Sequence, residues 1–310
     1  MDRLEAMSIL AQVADRGSFS AAAREMRLPL ATVSRKVADL EAHLGARLLV
    51  RTTRRLAPTE AGIAYLGATR RILEAVEEAE RKAAGEFGTP RGDLVLTAPI
   101  LFGRLHVLPV VADFLAAYPE IDVRLVLSDR NLDLVDDHVD LAVRIGALPD
   151  STMVATRIGS MRTVVCASPS LLVRHGVPKT PADLAKIPCV SFTTPSRLAT
   201  WTFQKPGTRR PAEISIKPRL AVTTAEAAVW AAARGVGAVR LLHYQCAEAV
   251  RAGKLRIVLA RHEPAPLPVH LVHAARGALP TKMRAFLDFA AARLRSELTG
   301  PGRAVTTSDG

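Results

Sequence analysis

The chain has 310 residues, 49% of them hydrophobic, and a formal net charge of +12. That is enough apolar sequence to bury a core in two or more units, and the cationic surplus points to an anionic partner: nucleic acid, acidic lipid or an acidic protein. The start, MDRLEAMSILAQVADRG, mixes charge with apolar residues and lacks the run of a signal peptide. No later segment reaches the ~18 consecutive apolar residues of a spanning helix, so a cytoplasmic protein with no membrane partner is expected. Cys166, Cys189 and Cys246 are odd in number and widely separated, as reduced buried thiols are. No metal-ligand spacing occurs among them and the histidines, and no cofactor is expected.

In chain order, Leu4, Met7, Leu10 and Ala14 recur at helical spacing, and Gly17 closes that helix. Ser18 is placed to cap a second, short helix, SFSAAAREM, whose alanines let another helix approach closely. Leu28-Pro29 breaks the chain, and Pro29 then suits the first turn of a third helix. There Val33, Val37, Leu40 and Leu44 form one apolar stripe, and on a wheel of about 100° per residue Arg35 lies opposite it. Gly45 ends the helix. ARLLVRTTRRLAPT then reads as two extended pieces around a cationic tip.

Thr59 is placed to cap a long helix reaching about Phe87. Ala61, Tyr65, Ala68, Ile72, Ala75 and Ala79 alternate by fours and threes, the seam spacing of a coiled coil. That spacing suggests a partner helix from a second copy; the alternative is an amphipathic helix lying on its own domain. GEFGTPRGD is a linker. Beyond it DLVLTAP, IDVRLVLS, DLAVRIG, RTVVCAS and PVHLVHA read as strands, interleaved with helical stretches such as GRLHVLPVVADFLAAYP, TAEAAVWAAARG and KMRAFLDFAAARLRSEL. The alternation predicts an α/β domain with mostly parallel sheets. The closing GPGRAVTTSDG is polar, and residues 298–310 are expected to be a disordered tail.

Helix, tight turn, helix, with the second helix polar outside, is the order of a helix-turn-helix, whose second helix enters the major groove. Ala31 or the methyl of Thr32 suits a thymine methyl, Thr32 and Ser34 suit phosphates or bases, and Arg35 suits guanine. Lys36, nearer the stripe, suits a phosphate. Arg51, Arg54 and Arg55 at the tip suit phosphates or a narrow minor groove.

GSFSAAAREMRLPLATVSRKVADLEAHLGARLLVRTTRRLAPTEAG resembles the N-terminal domain of LysR-type transcriptional regulators, through GSFSAAA, VSR, LE..LG and LL.R..R...T.AG. RGDLVLTAP, FGR.H..P, YPEIDVRL, DLAVRIG, VCASPSLL and RAFLDFAAARL are similar to that family's effector-binding domain, so the resemblance spans residues 1–297. It implies a winged helix-turn-helix domain over 1–58, a dimerising linker helix over 59–87, and an effector-binding domain over 92–297. The last would resemble type 2 periplasmic binding proteins: two Rossmann-like α/β subdomains, 92–161 with 268–297 and 162–267, joined by two crossing strands. Homotetramers, double-stranded DNA, RNA polymerase and a small-molecule effector are the implied partners. Ser34 and Arg35 match the family's DNA-contacting Ser-Arg, and Arg51 and Arg54 its basic wing. Pro29 and Leu30 stand where polar residues are common, so a cap hydrogen bond is expected to be missing.

The implied cleft would be lined by Thr97, Ala98, Pro99 and Ile100, by Ser128 and Asp129, and by Arg144, Ile145 and Gly146, faced by Thr193, Thr194, Thr223 and Thr224. Pro99 removes a hydroxyl that carboxylate-binding members often carry. Arg144 is a candidate anion ligand, or a partner of Asp129 or Asp140. No GxSxG, HExxH or phosphate-cradling loop occurs, and GVGAV at 235–239 reads as a helix end entering a strand, so no enzyme is expected. A cytoplasmic small-molecule sensor without a DNA role is the alternative; it leaves the first 58 residues without a purpose.

Overall fold

The computed structural model describes residues 2–51, 56–83, 89–148, 153–192, 199–204, 211–274 and 279–299, and the chain divides between Gly92 and Asp93 into two units. In the first, the Asp2 carboxylate accepts the amides of Leu4 and Glu5 and starts α1 (Arg3–Arg16), which Gly17 ends in the left-handed conformation. The Ser18 hydroxyl accepts the Ala21 amide to start α2 (Phe19–Glu25). Pro29 precedes α3 (Leu30–Leu44) with no side-chain cap, and Gly45 closes it at φ 64°. Short antiparallel strands β1 (Leu49–Arg51) and β2 (Leu56–Pro58) follow, with Val50 opposite Ala57. The unit ends in α4 (Glu60–Ala83); the expected continuation to Phe87 lies outside the described residues.

The core corrects the stripes expected from spacing. On α1 the buried residues are Ala6, Ile9, Leu10 and Val13, whereas Leu4 is exposed. On α3 they are Val33, Val37 and Leu40, and Leu44 stays 38% exposed, because the chain leaves the core at Gly45. Ala22 and Ala23 bury fully enough to let α2 sit close in the same cluster.

In α4, Leu66 and Thr69 are buried on the unit's own side, and Arg70 forms an ion pair with Asp15 of α1. Of the seam residues, Ala61, Ile72, Ala75 and Ala79 are exposed, whereas Ala68 is half-buried and Tyr65 packs on the unit's own core. Thr59 holds the start of the helix in place. Its hydroxyl donates to the Arg47 carbonyl at 2.7 Å and accepts the Gly62 amide at 2.9 Å, while its own amide donates to the Leu48 carbonyl at 2.9 Å.

The second unit holds two five-stranded sheets. The first has the order β4-β3-β5-β14-β6, built from β3 (Gly92–Ala98), β4 (Ile121–Leu127), β5 (Leu141–Ile145), β6 (Met153–Met161) and β14 (Leu267–Ala274). The second has the order β11-β8-β12-β7-β13, from β7 (Thr163–Ala167), β8 (Cys189–Phe192), β11 (Pro218–Val222), β12 (Ala238–Leu242) and β13 (Arg256–Val258). A hairpin, β9 (Ala199–Gln204) with β10 (Pro211–Ile216), adds Trp201, Phe203 and Ile216 to one face of that sheet.

The sheets are mixed rather than mostly parallel. β3 with β5, and β8 with β11 and β12, run parallel, but β14 runs antiparallel to β5 and β6, and β7 antiparallel to β12 and β13. Chain passing from one sheet to the other at Met161–Thr163 and returning before Leu267 enters each sheet against its neighbours. Helices α5 (Ile100–Phe102) and α6 (Leu108–Ala117), joined by a π-turn at Gly103–Val107, form one apolar run, whose buried Phe102, Val107, Val110, Val111 and Phe114 make it a core helix. The remaining helices are α7 (Pro169–His175), α8 (Ala225–Ala233), α9 (His243–Arg251) and α10 (Thr281–Thr299).

Leu298, assigned above to the tail, is helical and packs on the core, with its side chain 2.9 Å from where a Cβ on Gly159 would stand; residues 300–310 lie outside the described residues. All three cysteines are buried and free, and burial pushes the Cys189 thiol up to about 12.

Candidate DNA-reading surface and effector cleft

Burial of Val33, Val37 and Leu40 fixes the roll of α3 and thereby turns Ala31, Arg35, Ala38 and Asp39 outward. Thr32 and Ser34 are half-buried on its flanks. Among the described residues Arg35 has no hydrogen-bond or ion-pair partner, so its guanidinium is available to a ligand. Asp39 stands exposed one turn further along the same face, where its carboxylate opposes a phosphate. Lys36 is engaged: its ammonium pairs with Glu5 of α1 and ties the two helices together. Pro29 supplies no side-chain cap and its carbonyl accepts the Thr32 amide at 3.0 Å, so among the described residues the amides of Leu30 and Ala31 are left to add positive potential at the start of α3.

The strands beyond α3 are held by a residue that spacing did not single out. Glu41 Oε1 accepts the amides of Leu48 at 2.7 Å and Leu49 at 3.0 Å, so the acid inside LE..LG fixes the direction in which β1 departs. Arg51 belongs to β1. Its side chain, with Arg54 and Arg55, lies outside the described residues.

In the second unit the expected cleft residues after β3 and β4 are bonded to one another, while Arg144, Gly146 and Thr224 bond elsewhere. The Thr97 hydroxyl donates to the Val126 carbonyl at 2.8 Å, and the Ser128 amide donates to the Ala98 carbonyl at 3.0 Å. Asp129 accepts the Ile100 amide at 3.0 Å, serving as the cap that Pro99 lacks. The Ser128 hydroxyl exchanges hydrogen bonds with the Arg130 backbone. Arg144 donates to the Leu132 carbonyl, and Asp140 accepts the Val95 amide at 2.8 Å. Asp133 is held below the usual carboxylate range by the amides of Asp136 and Val135 and, to a lesser extent, by Arg144. Ile145 is half-buried, and Gly146 adopts φ 118° with its amide on the Pro268 carbonyl at 2.8 Å.

From the other half, Thr224 caps α8 by accepting the Ala227 amide at 3.3 Å, and Thr223 is exposed beside it. Thr193 and Thr194 lie outside the described residues. Arg104 reaches Glu226 in the first turn of α8 at 3.5 Å, and Phe102 meets Tyr244 of α9 edge-on at 5.5 Å. The helix that follows Ile100 therefore faces the helices that follow Thr224 and Leu242. Most hydroxyls and carboxylates named from the sequence are spent on holding these loops. Among the described residues no group of three or more metal-ligating side chains is gathered.

A three-helix core that presents an unpartnered arginine on its last helix, followed by a two-stranded wing and a two-sheet α/β unit, defines a DNA-binding protein with a separate ligand-sensing domain. Family comparison makes this specific. Residues 4–63 match the bacterial regulatory helix-turn-helix model of the lysR family, and residues 87–295 match the LysR substrate-binding domain; the chain belongs to the LysR-type transcriptional regulators. An HTH-type transcriptional regulator of Xanthomonas campestris pv. campestris is 37% identical over 290 residues, covering 92% of this chain and 84% of that protein. The solved structure of CrgA, a LysR-type regulator from Neisseria meningitidis, is 32% identical, covers 94% of this chain and 98% of its own, and superposes with a TM-score of 0.59. The full-length Vibrio cholerae virulence activator AphB shares the fold at 24% identity and TM-score 0.59, covering 94% of this chain and 99% of that one.

Proposed function

We propose that this regulator reads its operator with the N-terminal half of α3. Ala31, Thr32 and Arg35 reach base edges, Arg35 pairing with a guanine, while Ser34 and Lys36 bind phosphates beside them. Lys36 does so by leaving Glu5. Arg51, Arg54 and Arg55 form the wing contact. The domain limits proposed are 1–58 for DNA binding, 59–87 for the linker helix and 92–297 for effector binding. Copies pair through the exposed seam of α4 and assemble further to a homotetramer in the cytoplasm. An effector enters between the halves near Ile100, Asp129, Gly146 and Thr224, changes their angle, and through subunit contacts alters the spacing or bend of the bound DNA and the access of RNA polymerase. Catalysis forms no part of this reading.

The observation that carries it is the outward, unpartnered Arg35 above a buried Val33–Val37–Leu40 stripe. Footprinting the DNA upstream of its own coding region, with and without candidate metabolites, tests it. Protection of two half-sites whose pattern shifts with one metabolite is expected; a chain that protects no promoter fragment contradicts the reading.

A further inference from the structure

One face of the second sheet is apolar along most of its length. Val165 and Ala167 of β7, Cys189 of β8 and Ala238 of β12 pack there against Trp201, Phe203 and Ile216 of the hairpin. At the far end the character changes. In the register of β12 on β7, Arg240 lies opposite Val165 and Leu242 opposite Thr163, so Arg240 and Thr163 share this face as diagonal neighbours, within reach of a long side chain.

Both residues carry a buried polar atom with no hydrogen-bond partner, Arg240 Nε and Thr163 Oγ1. Among the described residues Arg240 makes no ion pair, and burial alone draws its pKa below the ordinary arginine value. Two adjacent unsatisfied groups are a cost that a folded protein rarely retains without a use. Among the described residues the covering hairpin supplies no carboxylate to this face: β9 holds no Asp or Glu, and Glu213 of β10 is exposed. Arg162, beside Thr163 in sequence, is already matched by Glu263, through two bonds of 2.9 and 2.8 Å. The place is also where a ligand belongs. Thr163 stands opposite Leu242, the last residue of β12, and Arg240 two residues before it, toward the carboxyl ends of the parallel strands β8 and β12, the ligand-binding end of such sheets, and Thr163 directly follows the crossing from the first sheet.

We propose that Arg240 and Thr163 form an anion subsite that takes the carboxylate of a small organic acid. The proposal rests on reading the second unit as effector-binding and adds the chemical class of the effector. A guanidinium fork and a hydroxyl match the two oxygens and single charge of a carboxylate. A phosphate, carrying close to two charges, would leave the half-buried site with an uncompensated one.

The test uses the full chain, followed by thermal unfolding in sodium propionate, sodium succinate, sodium phosphate and sodium chloride at matched ionic strength. A saturable rise in the unfolding temperature is expected with at least one carboxylate and not with phosphate or chloride. Arg240→Gln should weaken the apparent affinity about ten-fold or more and Thr163→Val a few-fold, while the exposed-arginine control Arg124→Gln matches the parent. Arg240→Met, which breaks no bond, should unfold no lower than the parent when no anion is added. Absence of a shift with either carboxylate, a response to phosphate alone, an equal shift in Arg240→Gln, or a fall of several degrees in Arg240→Met each overturns the proposal. A parent chain that footprints on DNA yet shows no carboxylate shift removes this inference alone; a shift without a footprint removes the regulator reading instead.

Discussion

Gly62 sits in the first turns of α4, directly over the carbonyl of Leu48. A Cβ at this position would lie 1.9 Å from the Leu48 oxygen, 2.9 Å from its carbonyl carbon and 3.2 Å from its Cα. All three are backbone atoms, and the oxygen is already fixed by the Thr59 amide at 2.9 Å, so no side chain can swing aside. In an ordinary helix, replacing glycine by alanine stabilises by ~0.5–1 kcal/mol. Here β1 and α4 must separate by more than 1 Å to restore a normal contact of about 3 Å or more, and overpacking of that kind costs ~1–3 kcal/mol. The sign of Gly62→Ala is therefore inverted: a net loss of about 1–2 kcal/mol, confined to the first unit. Urea unfolding of the full chain, followed by amide exchange in α1 and α3, reads it. Ala64→Ser, at an exposed position in the same helix, serves as the control and should stay within about 0.5 kcal/mol. Unchanged or increased stability in Gly62→Ala would refute the close approach and with it the account of how the wing is anchored.

Glu41→Ala strands the amides of Leu48 and Leu49 and should cost the same unit ~1–3 kcal/mol, with Glu41→Gln losing less; chemical denaturation measures both. Ile72→Glu, on the exposed face of α4 where Ile72 is 42% accessible, should shift sedimentation toward the monomer while leaving thermal stability near that of the parent. For His270, burial first and Arg157 second draw the pKa below its ordinary 6.5, so the folded chain holds fewer protons than the unfolded one. The stability this represents is present above pH ~6.5 and is lost as pH falls through the folded value. His270→Gln should flatten the decline in unfolding temperature on that acid side, and an unaltered slope would contradict the assignment.

Spacing and caps were readable where a local rule decides the structure. Ser18, Gly17, Pro29 and Gly45 each act through their own backbone neighbourhood, and Thr59 caps α4 locally through Gly62 while its bonds to Arg47 and Leu48 are long-range. Burial was less readable: Leu4 and Leu44 fit the helical period but fall beyond the packed length, which the neighbouring helices set. The entry into β12 was legible in GVGAV, whereas β8 and β13, of four and three residues, are too short for a period to show, and β11 and α9 were not read from the sequence. The antiparallel entry of β7 and β14 depends on where the chain crosses between sheets, a long-range property. In the candidate site, the outward set on α3 followed from one apolar stripe. Glu41 was hidden because its two partners lie seven and eight residues away. Arg240 was hidden inside an apolar strand, where the one available signal was a lone cation in GVGAVRLL.

The central claim is that Arg35 distinguishes bases while the wing binds any sequence. Affinity of the full chain for its operator and for a scrambled duplex, measured across a salt series for the parent, Arg35→Ala and Arg54→Ala, tests it most directly. Arg35→Ala should lose ~1–3 kcal/mol of preference for the operator at one base step, with scrambled-duplex binding nearly intact, whereas Arg54→Ala should weaken both duplexes alike and reduce the salt slope by about one. Equal weakening of both duplexes by both substitutions, with the operator preference unchanged, would contradict it.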